Sequence, residues 1–137
     1  MTLEQAIREL QTRSRPGRQV GRLPTVEEVE ATQKSLNVQF HPDYRRFLLQ
    51  ASNVFVGALD PAQITDSEGR NYLGKVVQSA RAYGVPSELF PFCEDNADFY
   101  CFTEQGEVRF WSHNGAAQEK WPSLAAWIKE VWIDESA

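Results

Sequence analysis

Long hydrophobic runs are missing from this chain. The longest apolar stretch, residues 54–59, is far short of the roughly 20 residues that a membrane-spanning helix needs. The opening residues, MTLEQAIREL, interleave charges with apolar positions and form no secretory core. These two absences lead to the expectation of a soluble, cytoplasmic protein without a membrane partner. Cysteine is scarce: Cys93 and Cys101 are the only two, which excludes a disulfide-stapled mini-protein, and their spacing is no CxxC redox motif. Signature loops are missing as well. There is no GxGxxG, no P-loop, no GxSxG and no HExxH, so no cofactor is expected. A basic excess is also lacking, because 14 Lys and Arg face 19 Asp and Glu for a net charge of -5. Broad binding to a nucleic-acid backbone is therefore not expected. Repeats and low-complexity segments are absent.

What remains is ordinary globular composition. Hydrophobic residues make up 42% of 137, enough for one buried core and one domain. Leu3, Ala6, Ile7 and Leu10 recur at i, i+3, i+4 and i+7, the stripe of an amphipathic helix with Thr2 as N-cap. Pro16, Gly17 and Gly21 then mark a loop. Thr25 followed by Glu28 is a capping-box pattern and predicts a helix over 26–36, with Val29 and Leu36 inward. Asn37 suits a left-handed stop. Pro42 suits the first turn of a third helix that turns Phe40, Tyr44, Phe47, Leu48 and Ala51 inward. Residues 54–56 read as a short strand. A fourth helix is expected over 71–83, with Tyr72, Val76, Ala80 and Tyr83 on one side and Gly84 past its end.

From Leu89 onward the chain reads β. Residues 89–93 are a candidate strand in which Pro91 argues for an edge or a bulge. Residues 98–103 and 107–112 form two more, joined by the hairpin signal Glu104-Gln105-Gly106. Ser123 can cap a closing helix over 124–133 whose apolar face holds Leu124, Trp127, Ile128, Val131 and Trp132. Helices, a strand, a helix, a β meander and a closing helix make an α+β fold with no βαβ rhythm. A hairpin centred near Ala97 would set Cys93 opposite Cys101. A disulfide is conceivable there, but two semi-buried thiols are expected in a reducing compartment.

Charge is unevenly placed. Between Glu88 and Glu107 stand Glu88, Glu94, Asp95, Asp98, Glu104 and Glu107 without one Lys or Arg. This stretch is either a solvated edge or an acidic face for a basic partner. Trp111 alternates with Phe110, so only one of the two is expected to face the core. An exposed aromatic beside carboxylates has the composition of a binding hot spot. Arg13–Arg22 is basic, but a solvated loop is the expected reading in a net-negative domain. An enzyme reading rests on Glu94, Asp95, Asp98 and His113 as a carboxylate-histidine metal site, but their spacing matches no metal-binding motif, and no metal site is expected.

The segment 36–48, LNVQFHPDYRRFL, resembles the opening motif of the SUKH superfamily, a Leu-Pro-x-x-Tyr-x-x-Phe-Leu core after a capped helix. His41-Pro42 stands for Leu-Pro, and Tyr44, Phe47 and Leu48 match. Asn53-Val54 stands where the family often has Asn-Gly. The segment 90–102, FPFCEDNADFYCF, is similar to the family's strand, acidic turn and strand, with Asn96-Ala97 where glycines are usual. EVRFWSH over 107–113 resembles the next strand, and WPSLAAW over 121–127 resembles the closing helix.

This resemblance covers about 25–132. It implies a single domain with helices packed around a mostly antiparallel sheet, with 1–24 as an N-terminal helix and loop and 25–137 as the main body. It also implies protein binding rather than catalysis. Many bacterial members look like immunity proteins that neutralise toxins, often nucleases, and a fungal branch regulates cell-wall synthesis through protein contacts. The leading expectation is therefore a cytoplasmic, non-catalytic domain that binds a cognate toxin or another protein through Glu94, Asp95, Asp98, Glu104, Glu107 and Trp111. The alternatives are a general scaffold or regulatory module, and a metal-dependent hydrolase around Asp98 and His113.

Overall fold

The computed structural model describes residues 1–15, 21–114 and 119–136. The loop signals Pro16 and Gly17, Arg18 of the basic segment, and Gly115 after Asn114 lie outside the described residues. Helix α1 (Leu3–Arg13) starts on a closed capping box. The Thr2 hydroxyl accepts the Gln5 amide at 3.1 Å, and the Gln5 side chain accepts the Thr2 amide at 2.8 Å. Its stripe of Leu3, Ala6, Ile7 and Leu10 is buried, as the spacing predicts. Helix α2 (Val26–Leu36) uses the same device at Thr25 and Glu28 and stops at Asn37, φ 54°. Val29 is buried and Leu36 packs half-buried against the core. Helix α3 (Pro42–Ala51) opens at His41, whose Nδ1 accepts the Asp43 amide at 3.1 Å. Phe40, Tyr44, Phe47, Leu48 and Ala51 are all buried.

Residues 54–56 form no strand. Their backbone groups find other partners. Phe55 donates its amide to Ser14 Oγ at 3.0 Å and accepts the Arg15 amide at 3.0 Å. The Val56 carbonyl accepts the Trp132 indole N–H at 2.8 Å. An apolar run whose polar groups are satisfied by a helix end and an indole needs no neighbouring strand. Helix α4 (Leu73–Tyr83) begins two residues later than expected and buries Leu73, Val76 and Ala80. Gly84 caps it at φ 105°, and Tyr83 is 49% exposed.

Four antiparallel strands follow in sequential order: β1 (Phe90–Asp95), β2 (Asp98–Phe102), β3 (Val108–Trp111) and the two-residue β4 (Lys120–Trp121). The register slips between Pro91 and Cys93, the bulge that a residue without an N–H favours. As a result Cys101 pairs with Pro91, and Cys93 pairs with Tyr100. The two cysteines are thus not opposite each other, and both are free, buried thiols.

The sheet is covered on both sides. On one face Phe92 and Phe102 stack at 4.4 Å, and Trp127 approaches Phe92 at 5.0 Å and Tyr100 at 5.1 Å. Tyr44 of α3 completes this face at 5.1 Å from Phe102. On the other face Phe99 meets Tyr83 of α4 at 6.1 Å and Trp111 at 6.3 Å. This explains why Phe99, Tyr100, Cys101 and Phe102 are buried in succession instead of alternating. The closing helix starts at Ser123, whose hydroxyl accepts the Ala126 amide at 3.1 Å. It runs as α5 (Leu124–Trp127), a π-helix (Ile128–Ile133) and α6 (Asp134–Ser136) rather than as one uniform α-helix. Among the described residues no helix is long and apolar enough to cross a membrane. The architecture is a single α+β domain.

Candidate partner-binding surface

Strands β1 and β2 are joined by the tightest kind of hairpin. Asp95 and Asp98 pair, and the two residues between them, Asn96 (φ 53°) and Ala97 (φ 68°), are both left-handed. This turn carries Glu94, Asp95 and Asp98 together to one end of the sheet. Asp98 Oδ1 accepts the His113 amide at 3.2 Å and lies 2.9 Å from His113 Nδ1. That ring nitrogen is also 3.1 Å from the Ala97 carbonyl, so it faces two acceptors and carries the proton. Tyr83 packs on His113 at 5.7 Å, and Trp111 stands beside Phe99 in register. The hairpin end therefore presents carboxylates next to an exposed tyrosine and a half-buried tryptophan.

Phe110 and Trp111 are both half-buried, contrary to the simple alternation. Each strand face has its own cover: Phe110 packs on Tyr100 at 4.9 Å, while Trp111 lies towards α4 and Gly84. Trp111 is thus only partly exposed.

Glu104 and Glu107 belong to the other hairpin, at the opposite end of β2. At about 3.3 Å of rise per residue that end is on the order of 15 Å away. Glu107 pairs with Arg109 at 3.3 Å. The six residues singled out in the sequence are accordingly divided. Glu94, Asp95, Asp98 and Trp111 lie at the same end of the sheet; Glu104 and Glu107 do not. Glu104 instead stands with Glu88 on a groove of about 440 Å³ between the α2–α3 turn, the α4–β1 loop and the β2–β3 turn. Sequence reading missed Tyr83 as a surface residue, although Gly84 and Pro86 place it at a helix end. It also missed that His41 closes this groove against the β2–β3 turn.

Asp98 and His113, the pair behind the hydrolase alternative, are in contact. Among the described residues no hydroxyl or thiol is hydrogen-bonded to His113, and no group of three His, Cys, Asp or Glu is placed to hold a metal ion. The Cys101 thiol is pushed up to about 12 by burial, and burial also raises Cys93. Neither is tuned for nucleophilic work.

A four-stranded meander between helical layers, with its polar chemistry on exposed turns, is the architecture of the SUKH class. The family profile SUKH_5, described as SMI1-KNR4 cell-wall, matches residues 3–133, and the chain belongs to this family. A crystal structure of a protein from Pseudomonas syringae pv. tomato is similar throughout, with a TM-score of 0.90 and 33% sequence identity over 96% of this chain and 98% of that one. No curated protein matches the chain significantly.

Proposed function

We propose that this protein is a non-catalytic binding domain of the immunity type, which blocks a cognate toxin in the cytoplasm by direct contact. The observation that carries the reading is the hairpin end, where Glu94, Asp95 and Asp98 share one end of the sheet with Trp111 and Asp98 is linked through His113 to Tyr83. Nuclease toxins hold phosphates on basic surfaces, and a carboxylate cluster competes for such a surface. Exposed carboxylates chiefly raise the association rate, while aromatic anchors slow dissociation. Membership of the SUKH family supports the reading, since that family is associated with binding. The description cell-wall attached to the matched family favours one second reading, a regulatory interaction module without a toxin.

The test is surface plasmon resonance between this protein and the product of the adjacent open reading frame, at several salt concentrations. The triple variant E94K/D95K/D98K is expected to lose at least tenfold in association rate and to flatten the salt dependence. An unchanged affinity and salt slope would refute the acidic-face mechanism. A neighbouring gene product that neither binds nor is toxic favours the regulatory module.

A further inference from the structure

We propose that the groove between the α2–α3 turn, the α4–β1 loop and the β2–β3 turn receives a basic side chain, arginine foremost, presented by the protein partner. This rests on the binding-domain reading above and names the chemistry that a second part of the surface selects.

The floor is aromatic. Phe40 meets Tyr44 at 5.1 Å and Phe90 at 5.7 Å, and Tyr44 meets Phe102 at 5.1 Å; all four rings line the groove. Aromatic faces attract a guanidinium through their quadrupole and stack on its plane. Tyr44 is buried and its hydroxyl has no hydrogen-bond partner.

The rim is anionic. Glu88 and Glu104 line the groove and are exposed, and among the described residues neither carboxylate has a hydrogen bond or an ion pair. Other carboxylates are taken up by arginines: Glu4, Glu9, Glu28 and Glu30 each hold one, and Glu107 holds Arg109. Among the described residues the groove's own cation, Arg81, pairs with neither carboxylate. Arg81 Nη1 donates to the carbonyls of Val85 at 3.1 Å, Pro86 at 2.7 Å and Leu89 at 2.9 Å. It pins the loop that carries Glu88 and so sets one side of the rim. The opposite wall is fixed by His41, held through Nδ1 on the Asp43 amide and seated against Gly106. Two unpaired carboxylates over fixed rings suit a planar, five-donor cation better than a compact ammonium, and they repel an anion.

The experiment is a ¹⁵N–¹H correlation titration of the full chain with N-acetyl-arginine methylamide. The uncharged citrulline analogue and inorganic phosphate serve as the comparison probes. Saturable shifts are expected at the amides of Glu88, Phe90, Glu104 and Gly106 at millimolar concentration. They are expected to be absent with citrulline and at least threefold weaker in affinity in E88Q/E104Q, a variant altered only at exposed side chains. No saturable shift, equal shifts with citrulline, or tighter binding of phosphate at the same amides would overturn the proposal. Unaltered affinity of E88Q/E104Q for a toxin that the wild type binds would also overturn it, while leaving the binding-domain reading intact. If no toxin is found, a charge-dependent arginine shift still supports the groove, whichever protein supplies the side chain.

Discussion

Gly106 is seated directly against His41: a methyl group built on Gly106 would stand 2.5 Å from Nε2 and 2.7 Å from Cδ2 of the imidazole. The backbone of Gly106 is also left-handed, φ 88°. Two independent reasons thus require glycine in the β2–β3 turn, and the contact ties that turn to the start of α3.

Gly106→Ala is therefore expected to destabilise the fold by about 2–4 kcal/mol, the sum of a left-handed residue and an overpacked contact. Urea unfolding measures it. Adding His41→Ala should recover the steric part and leave only the backbone part. A Gly106→Ala protein as stable as the wild type would show that the turn and α3 are not in contact.

Ala97 presents the reverse situation. It is a non-glycine residue at φ 68° in the β1–β2 turn. Ala97→Gly should remove left-handed strain at a smaller entropic cost, a net gain of about 0.5–1 kcal/mol. Thermal unfolding should move up by roughly 2–4 °C for a chain of this size. A lower Tm would mean that the turn is not strained.

Two buried tryptophans should respond differently to the same change. Trp132 donates its indole N–H to the Val56 carbonyl at 2.8 Å, while the Trp127 indole N–H is buried without a partner. Trp132→Phe leaves a buried carbonyl unsatisfied and should cost about 1–3 kcal/mol beyond the loss of volume. Trp127→Phe removes an unpaired donor and should cost less. Chemical denaturation of the two variants side by side decides it; equal losses would contradict the assigned bond.

Stability should fall towards both ends of the pH scale, for separate reasons. Hydrogen bonds from Arg22 hold the Glu28 carboxyl at about 2, below its ordinary 4.5. A depressed carboxylate stabilises above its unfolded value and loses that contribution as pH falls from about 4.5 towards 2. Arg22→Gln should flatten this acid limb. On the alkaline side burial raises Cys101 from 9.0 to about 12, and also raises Cys93, Tyr44 and Tyr100. Groups raised in the folded state keep protons that the unfolded chain releases, so stability should drop as pH rises from about 9 towards 12. Thermal scans across pH test both limbs. Rapid alkylation of the two thiols in the folded protein at pH 8 would contradict their burial.

Local signals in the sequence located most of the frame. The boxes at Thr2 and Thr25, the stop at Asn37, the cap at Gly84 and the bulge at Pro91 all depend on contacts within a few residues, which sequence spacing records directly. What escaped depends on distant partners. Residues 54–56 look like a strand until Ser14 and Trp132 are known to satisfy them. Phe110 and Trp111 look like one inward and one outward residue until α4 is placed on the second face. β4 is too short to leave a periodic trace. The acidic stretch is continuous in sequence, but β2 is long enough to separate its ends. Only the fold shows which carboxylates share a surface and that Tyr83 joins them.

The π-helix at Ile128–Ile133 widens the turn just where Trp132 and Ile133 enter the core, and both are buried there. On an ordinary α-helical repeat Ile133 would point to the side opposite Leu124. The widened turn is thus a rotational offset written into the chain by one additional residue. Deleting Lys129 would return this segment to an ordinary α-helix, whereas inserting one more residue there would swing every later side chain by about 100°, since an α-helix turns that much per residue. The bond between Trp132 and Val56 would break while the helix itself survived. The tail is keyed to the middle of the chain by angle, and length changes here act as a twist rather than a slide.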